Sequence, residues 1–187
     1  MASAPARAAS PAARAPALLT ARASCGPARC RSTSPCAWRR VYNLRSRRSF
    51  RVIAAALRLG GDRFDVRVVQ FSVQGNHIHL VVEAPDRGAL ARAIQGLSIR
   101  VAKGLNRMMG RKGRVFDDRY HARVLRTPTE VRHAIHYVLN NARKHAAQRG
   151  ETYPPGYVDP YSSAGAPELA LPAQTWLLRE GWMRAQR

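Results

Sequence analysis

Acidic residues are scarce in this chain of 187 residues, and the shortage limits the classes of function that fit it. There are 11 Asp and Glu against 32 Lys and Arg, and no acidic residue precedes Asp62. The formal net charge of +21 lies far outside the ordinary range for a soluble enzyme and indicates a polyanionic partner, most commonly nucleic acid. Arg and Lys are spread along the chain, whereas a membrane-surface role would need one basic amphipathic segment.

Cysteines and long apolar runs are also in short supply. The three cysteines, Cys25, Cys30 and Cys36, all lie near the N-terminus, and none falls in the probable core. This usage excludes a disulfide scaffold and predicts a reducing, cytoplasmic location, and the spacing fits no zinc site. No stretch approaches the roughly 18 apolar residues that a membrane span requires, so no membrane partner is expected.

Composition divides the chain into three parts. Residues 1–36 are mainly Ala, Pro, Arg and Ser, which cannot bury enough surface to offset chain ordering, so a disordered tail is predicted. Residues 37–150 have the apolar periodicity of one folded domain, in which residues 38–42 are interpreted as the remains of a first strand. Residues 151–187 form a Pro- and Gly-rich extension that ends in a short helix bearing two tryptophans.

Two adjacent stretches predict an antiparallel hairpin. Residues 65–73 are rich in β-formers and are joined by a three-residue turn to residues 77–83. Side chains alternate between the faces of a strand, so His77, His79 and Glu83 share one face and Ile78, Leu80 and Val82 line the other. The same alternation places Val69, Phe71 and Val73 together on one face of the first strand. Two imidazoles on a rigid strand can hold a divalent metal. An isolated His-x-His, however, is more often only a pair of solvent-exposed histidines on one strand face.

The next predicted helix runs from about residue 86 to residue 109 and is closed by Gly110. One apolar stripe follows its length, and basic residues occupy the opposite side. In so cationic a chain this side is a candidate phosphate-contacting surface, which the following loop extends. The predicted nucleic-acid contacts are Arg92, Arg100, Lys103, Arg107, Arg111, Lys112, Arg114 and Arg119.

A second long helix begins at a strong N-terminal signal. Thr127 stands at the N-cap, Pro128 at the first helical position and Glu130 at the third, as in a capping box. At about 100° per residue, Tyr137 lies off the apolar stripe of this helix, and Asn141 lies one turn further along the same side. Tyr137 is therefore not an obvious core residue.

These parts together resemble the single-tyrosine HUH transposases, which include insertion-sequence and REP-associated tyrosine transposases. Residues 73–80 (VQGNHIHL) are similar to the metal-site strand of that family, and residues 113–121 (GRVFDDRYH) to its "G-x-(W/F)-x-x-R-(Y/F)-H" segment. Residues 137–141 (YVLNN) stand where the family has "Y-I-x-x-N-P", with Ala142 in place of the proline. The resemblance runs from about residue 64 to residue 145.

The resemblance implies a fold and a reaction. The fold would be α+β, a small ferredoxin-like antiparallel sheet with helices packed on one face. His77 and His79 would bind a divalent metal, Mg or Mn, with Asn141 completing the site in the way some members do. Tyr137 would be the nucleophile that cleaves and rejoins single-stranded or hairpin-flanked DNA through a 5′-phosphotyrosine intermediate. Relatives work either as monomers or as homodimers.

Two other functions stay open on the sequence. An inactive or domesticated relative, damaged in its first strand, would act as a non-catalytic DNA- or RNA-binding protein through charge alone. A metal-dependent nuclease that uses water would keep the histidine pair without needing Tyr137. The joint presence of both histidines, Tyr137 and Asn141 favours the strand-transfer enzyme.

Overall fold

The computed structural model describes residues 17–24, 43–60, 63–116 and 120–185, the first of these by its backbone only. Four strands and three long helices follow one another in the order β-α-β-β-α-β-α. Their bounds are β1 Ala17–Ser24, α1 Arg47–Gly60, β2 Arg67–Val73, β3 His77–Ala84, α2 Arg87–Met108, β4 His121–Leu125 and α3 Pro128–Gln148.

The four strands form one sheet in the order β2-β3-β1-β4. Every neighbouring pair is antiparallel, including the hairpin of β2 and β3. This order, with a helix after β1 and another after β3, is the split β-α-β arrangement of ferredoxin-like folds. The predicted α+β class and ferredoxin-like sheet are therefore confirmed.

The strand between β3 and β4 comes from an unexpected part of the chain. β1, Ala17–Ser24, pairs with β3 from Ala17 opposite Ala84 to Ser24 opposite His77, and with β4 on its other edge. The prediction that residues 1–36 form a disordered tail is therefore wrong for residues 17–24. Residues 38–42, interpreted from the sequence as a first strand, lie outside the described residues.

A β-bulge in β2 changes which of its side chains share a face. The pairing of β2 with β3 shifts register between Val68 and Gln70, so one extra residue stands on the β2 side. Val68 therefore packs into the same core as Phe71, whereas Val69 packs on the other side of the sheet. The prediction that Val69 shares a face with Phe71 and Val73 is wrong for this reason.

Both faces of the sheet are covered by helices. The larger core contains the apolar stripes of α1 and α2 and the β3 residues Ile78, Leu80 and Val82. The smaller core places Val131, Ile135 and Val138 of α3 against Val69 and Val81 on the opposite face. The prediction of helices packed on one face of the sheet is thus confirmed for α1 and α2. The third helix, α3, covers the opposite face, to which His77 and His79 belong.

The helix ends follow the signals in the sequence. The Asp86 side chain accepts a 2.7 Å hydrogen bond from the Ala89 N–H at the start of α2. At α3 the Thr127 hydroxyl accepts from Glu130 N, and the Glu130 carboxylate accepts from Thr127 N, which completes the predicted capping box. Gly110 and Gly150 follow α2 and α3 with φ of 63° and 74°, values that suit glycine.

Residues 159–171 lie along β2, the edge strand of the sheet. Tyr161 O accepts from Val73 N at 2.9 Å, and Val68 O accepts from Leu171 N at 2.8 Å. The contact is fixed by Asp159, 3% exposed on its side chain, whose carboxylate accepts two 2.9 Å hydrogen bonds from the Arg45 guanidinium. The C-terminal extension therefore satisfies an edge that would otherwise be open to pairing with another chain.

Residues 176–184 form a short helical segment that packs on α3. Its two tryptophans differ, since Trp182 packs against the smaller core and Trp176 is 49% exposed. Among the described helices, none combines the length and apolar character that crossing a membrane requires.

Candidate active site

The two histidines of β3 lie side by side under α3. His77 and His79 are 4% and 7% exposed, and their ring centroids are 4.6 Å apart at an interplanar angle of 88°. The His77 Nδ1 lies 2.7 Å from the Asn76 side-chain carbonyl oxygen. Because a carbonyl oxygen only accepts, Nδ1 of His77 is the donor in this contact.

Tyr137 projects from α3 onto this pair. Its ring contacts His79 edge to face at 5.2 Å between centroids, while 45% of the residue remains exposed. The Lys144 ammonium lies 5.3 Å from the centroid of the same ring. A half-exposed phenol beside an imidazole pair and a cation is accessible to a phosphodiester, whose negative charge the ammonium attracts.

Asn141 lies between two aromatic contacts of α3 with β3. Residues four apart share one side of a helix. One turn before Asn141 the Tyr137 ring contacts His79, and one turn after Asn141 the His145 ring contacts His77. Asn141 is 1% exposed, and neither of its amide atoms has a hydrogen-bond partner among the residues that the structure describes. A buried amide left in this state costs about 1–3 kcal/mol, which points to a ligand that the amide oxygen binds.

His145 is a contact that the sequence reasoning missed. Its ring lies 5.6 Å from that of His77 at 70°, and its Nδ1 is 2.9 Å from the Gln148 side-chain oxygen. The signal was present, because Tyr137, Asn141 and His145 follow one another at four-residue intervals on α3. Without the register of α3 on β3, however, no local pattern brings His145 to His77.

Glu83 shares the strand face of the histidines but serves another purpose. Its carboxylate is 3% exposed and accepts hydrogen bonds from Gln174 N, Thr175 N and the Thr175 hydroxyl at 2.6–3.1 Å. Three donors therefore hold it at the start of the C-terminal helical segment. Glu83 therefore does not join the histidines as a ligand, although it shares their strand face, because its oxygen atoms already accept these hydrogen bonds.

The possible metal ligands at this site are two imidazoles and one amide oxygen. Within the described residues, no group of three or more His, Cys, Asp or Glu side chains could hold a metal ion. The buried Asn141 amide lies one helical turn from Tyr137, which contacts His79, and one turn from His145, which contacts His77, so the set fits a divalent ion that accepts both nitrogen and oxygen ligands.

The predicted nucleic-acid contacts lie away from this site. The basic residues of α2 project from a helix packed on the opposite face of the sheet, and Arg92 reaches the Phe64 ring at 5.6 Å. Lys112 and Arg114 are exposed in the loop after α2, where Arg111 is partly buried. Arg119 lies outside the described residues. The structure thus brings together His77, His79, Tyr137 and Asn141, and places the basic surface elsewhere.

A family model described as "Transposase IS200 like" matches residues 39–141, more than half of the chain. The chain belongs to the IS200-like transposase family. The matched residues include β3 with both histidines and α3 as far as Asn141, while β1 and His145 fall outside them. Membership makes this protein a transposase-like member of a family of DNA-cleaving enzymes.

A solved structure of the REP-associated tyrosine transposase bound to a REP hairpin is similar in fold to this transposase. The superposition has a TM-score of 0.54 and 14% sequence identity, and it covers 84% of this chain and 86% of the other. At this identity the likeness establishes the fold alone. No curated protein matches the chain.

Proposed function

We propose that this IS200-like transposase cleaves and rejoins a DNA strand through a covalent bond to Tyr137. The observation that carries the proposal is the contact of Tyr137 with His79, in which the ring is 5.2 Å away and the residue is 45% exposed. A structural tyrosine on α3 would be buried with Val138 in the smaller core. Tyr137 instead lies at the mouth of a site lined by imidazole nitrogens.

In this reaction the Tyr137 oxygen attacks the phosphorus of a phosphodiester. A bond forms between the phenolic oxygen and phosphorus, and the bond from phosphorus to the 3′-oxygen breaks. The Tyr137 phenol gives up its proton as the new bond forms, and the departing 3′-oxygen takes up a proton and becomes a hydroxyl group, so no net proton is gained or lost while the 5′-phosphate stays on Tyr137. Because the phosphotyrosine bond conserves the energy of the phosphodiester, a 3′-hydroxyl can later attack it and restore the strand without ATP.

A divalent ion, when bound, would neutralise charge on the phosphate and polarise it. His77 and His79 would supply nitrogen ligands, and the Asn141 amide oxygen would supply the third. Mg²⁺ is usually held by oxygen ligands and water, whereas imidazole suits transition metals better, so we favour Mn²⁺ for this mixed set. Asn76 would fix the orientation of the His77 ring, as outer partners of metal-binding histidines do.

The DNA substrate is proposed to be single-stranded or to carry a hairpin. The similar fold was solved with a REP hairpin bound, and the net charge of +21 suits a polyanion. Basic residues of α2 and the loop after it would contact backbone phosphates, so affinity should fall steeply with added salt. Since Tyr137 contacts His79 of its own chain, we propose that one protomer carries a complete site.

The test is the covalent product. Wild-type protein, incubated with hairpin-flanked single-stranded DNA and Mn²⁺, should form an adduct that survives denaturation, and Tyr137→Phe should form none. Tyr153→Phe is the matched control, because Tyr153 stacks on Tyr157 outside the site. Cleavage by Tyr137→Phe at the wild-type rate would indicate a nuclease that uses water. DNA binding by a well-folded wild type with neither cleavage nor adduct would indicate a non-catalytic binding protein.

A further inference from the structure

Arg143 joins α3 to the C-terminal extension on the side of the helix away from the candidate active site. It follows Asn141 by two residues and precedes His145 by two, so it lies about half a turn around the helix from both. Its partly buried guanidinium donates from Nη2 to Tyr157 O at 3.1 Å and to Pro154 O at 3.3 Å. Any effect of Arg143 on the site is therefore transmitted through the helix.

The two carbonyls that accept from Arg143 belong to one tight turn. Tyr157 N donates to Pro154 O at 3.2 Å, and Gly156 has φ of 77°, the sign that the third position of a type II turn requires. Pro155, at the second position, presets the backbone for the same turn. The turn is thus stabilised by its own sequence and presents both carbonyls to Arg143 in fixed positions.

Just beyond this turn the chain is anchored to the hairpin that carries the histidines. The Arg45 guanidinium donates two 2.9 Å hydrogen bonds to the Asp159 carboxylate, and its Nη1 also donates to Val73 O at 2.9 Å. Val73 is the last residue of β2 and pairs with Ile78, the neighbour of His77 on β3. Residues 154–159, named here the strap, therefore join the outer side of α3 to the start of β3.

In the last turns of α3, whose residues the structure describes in full, the buried apolar side chains are small. The large α3 side chains of the smaller core, Val131, Ile135 and Val138, all precede Asn141. Beyond Asn141 the buried apolar residues are Ala142 and Ala146. Because an alanine buries little apolar area, packing holds these turns on the sheet less firmly than it holds the first part of the helix.

We propose that Arg143 is a positioning residue, which through the strap holds the last turns of α3 against the histidine strand. In that position Asn141 and His145 reach the site at His77. The strap supplies by hydrogen bonds what the alanines cannot supply by packing. This inference rests on the proposed function to the extent that it takes His77, His79 and Asn141 to bind a divalent ion.

The first measurement is the affinity of the full-length protein for Mn²⁺, by isothermal titration calorimetry. Arg143→Met keeps the apolar stem and the helix propensity but removes the donors, so the variant should fold. We expect it to bind Mn²⁺ about tenfold more weakly, as happens when supporting residues around a metal site are lost. The direction is informative, because removing a positive charge would by itself strengthen the binding of a cation.

Arg132→Met is the matched control. Arg132 lies near the start of α3, and its guanidinium donates to Ala185 O at 3.1 Å, so it too ties this helix to the C-terminal extension. The control removes the same charge and the same kind of hydrogen bond, and it should leave the affinity for Mn²⁺ unchanged. A merely structural role for Arg143 predicts that both variants lower Tm and that neither changes metal affinity.

The second measurement needs neither metal nor DNA. The His77 and His145 rings lie 5.6 Å apart between centroids, so the metal-free wild type should show a nuclear Overhauser effect between their ring protons. This signal should be lost or strongly weakened in Arg143→Met and should persist in Arg132→Met.

The outcomes separate this proposal from the proposed function. An Arg143→Met protein that keeps the signal between the two histidines would overturn the positioning role, and so would equal losses in both variants, which would indicate general loosening of α3. A wild type that binds no Mn²⁺ would refute the metal site of the proposed function. The histidine signal would in that case still decide the role of Arg143.

Discussion

Asn141 provides a sharp test of the proposed metal site, because its effect on stability should oppose its effect on metal binding. The residue is 1% exposed and its amide lacks hydrogen-bond partners in the described part of the chain. Leucine has a similar branched shape and carries no polar group. Removing the unsatisfied amide should recover about 1–3 kcal/mol. The better helix propensity of leucine should add up to about 0.5 kcal/mol.

We therefore expect Asn141→Leu to raise the free energy of unfolding of the metal-free protein by about 1–3 kcal/mol. In a chain of this size each kcal/mol corresponds to a shift of about 2–4 °C in Tm. Added Mn²⁺ should stabilise the wild type, by about 2.7 kcal/mol at 100 times Kd, and should have much less effect on the variant. The stability difference between the two proteins should thus shrink or reverse when metal is present.

Chemical denaturation followed by circular dichroism, with EDTA or with Mn²⁺, measures both effects. Asn140→Leu is the matched control, since it makes the same chemical change on the exposed side of α3. That control should alter stability by no more than about 0.5 kcal/mol and leave the response to Mn²⁺ intact. A metal-free Asn141→Leu protein that is less stable than the wild type would show that the amide is satisfied without metal, and the reasoning would fail.

Three further predictions concern groups that hold the fold. Glu83→Gln should lower the free energy of unfolding by about 1–3 kcal/mol in urea titrations, because an amide cannot accept all the N–H and O–H donors of residues 174 and 175. Asp159→Ala leaves the Arg45 guanidinium without its carboxylate partner and should cost about 3–5 kcal/mol in the same assay, and an effect near zero would contradict its structural role. Hydrogen bonds from Arg126 N and from the Arg123 side chain lower the pKa of Glu130 below its ordinary 4.5. The Glu130 carboxylate therefore stabilises the fold fully above pH 4.5, and this stabilisation is lost as the pH falls through the lower pKa that Glu130 has in the folded protein. Thermal unfolding at pH 7 and pH 3 should accordingly show a smaller acid destabilisation for Glu130→Gln than for the wild type.

The histidine strand and the tyrosine helix could be read directly from the sequence. Period-two alternation placed His77 and His79 on one face, and the rings lie 4.6 Å apart. The capping box at Thr127 fixed the start of α3, and the 3.6-residue period placed Tyr137 off its apolar stripe, as its 45% exposure confirms. These features depend on neighbours within a few residues in the chain, which is why local patterns identify them.

The remaining features required partners distant in sequence. His145 could be assigned to the site only after α3 was seen to lie along β3. Glu83 could be excluded from it only after residues 174 and 175 were seen to donate to its carboxylate. The bulge in β2 likewise depends on the pairing with β3. In each case the composition of one segment is compatible with several arrangements, and the packing of another segment selects one of them.

The central strand β1 shows most clearly the difference between what the local sequence determines and what tertiary pairing determines. Residues 17–24 (ALLTARAS) include three alanines and a single β-branched residue, Thr20, so they are poor in strand-forming side chains, yet they form β1. The sheet has a position between β3 and β4 where a segment obtains backbone hydrogen bonds on both edges. Backbone pairing of this kind depends little on side-chain identity. The sequence therefore determined the strands that have apolar periodicity, whereas the tertiary structure alone determined which segment completes the sheet.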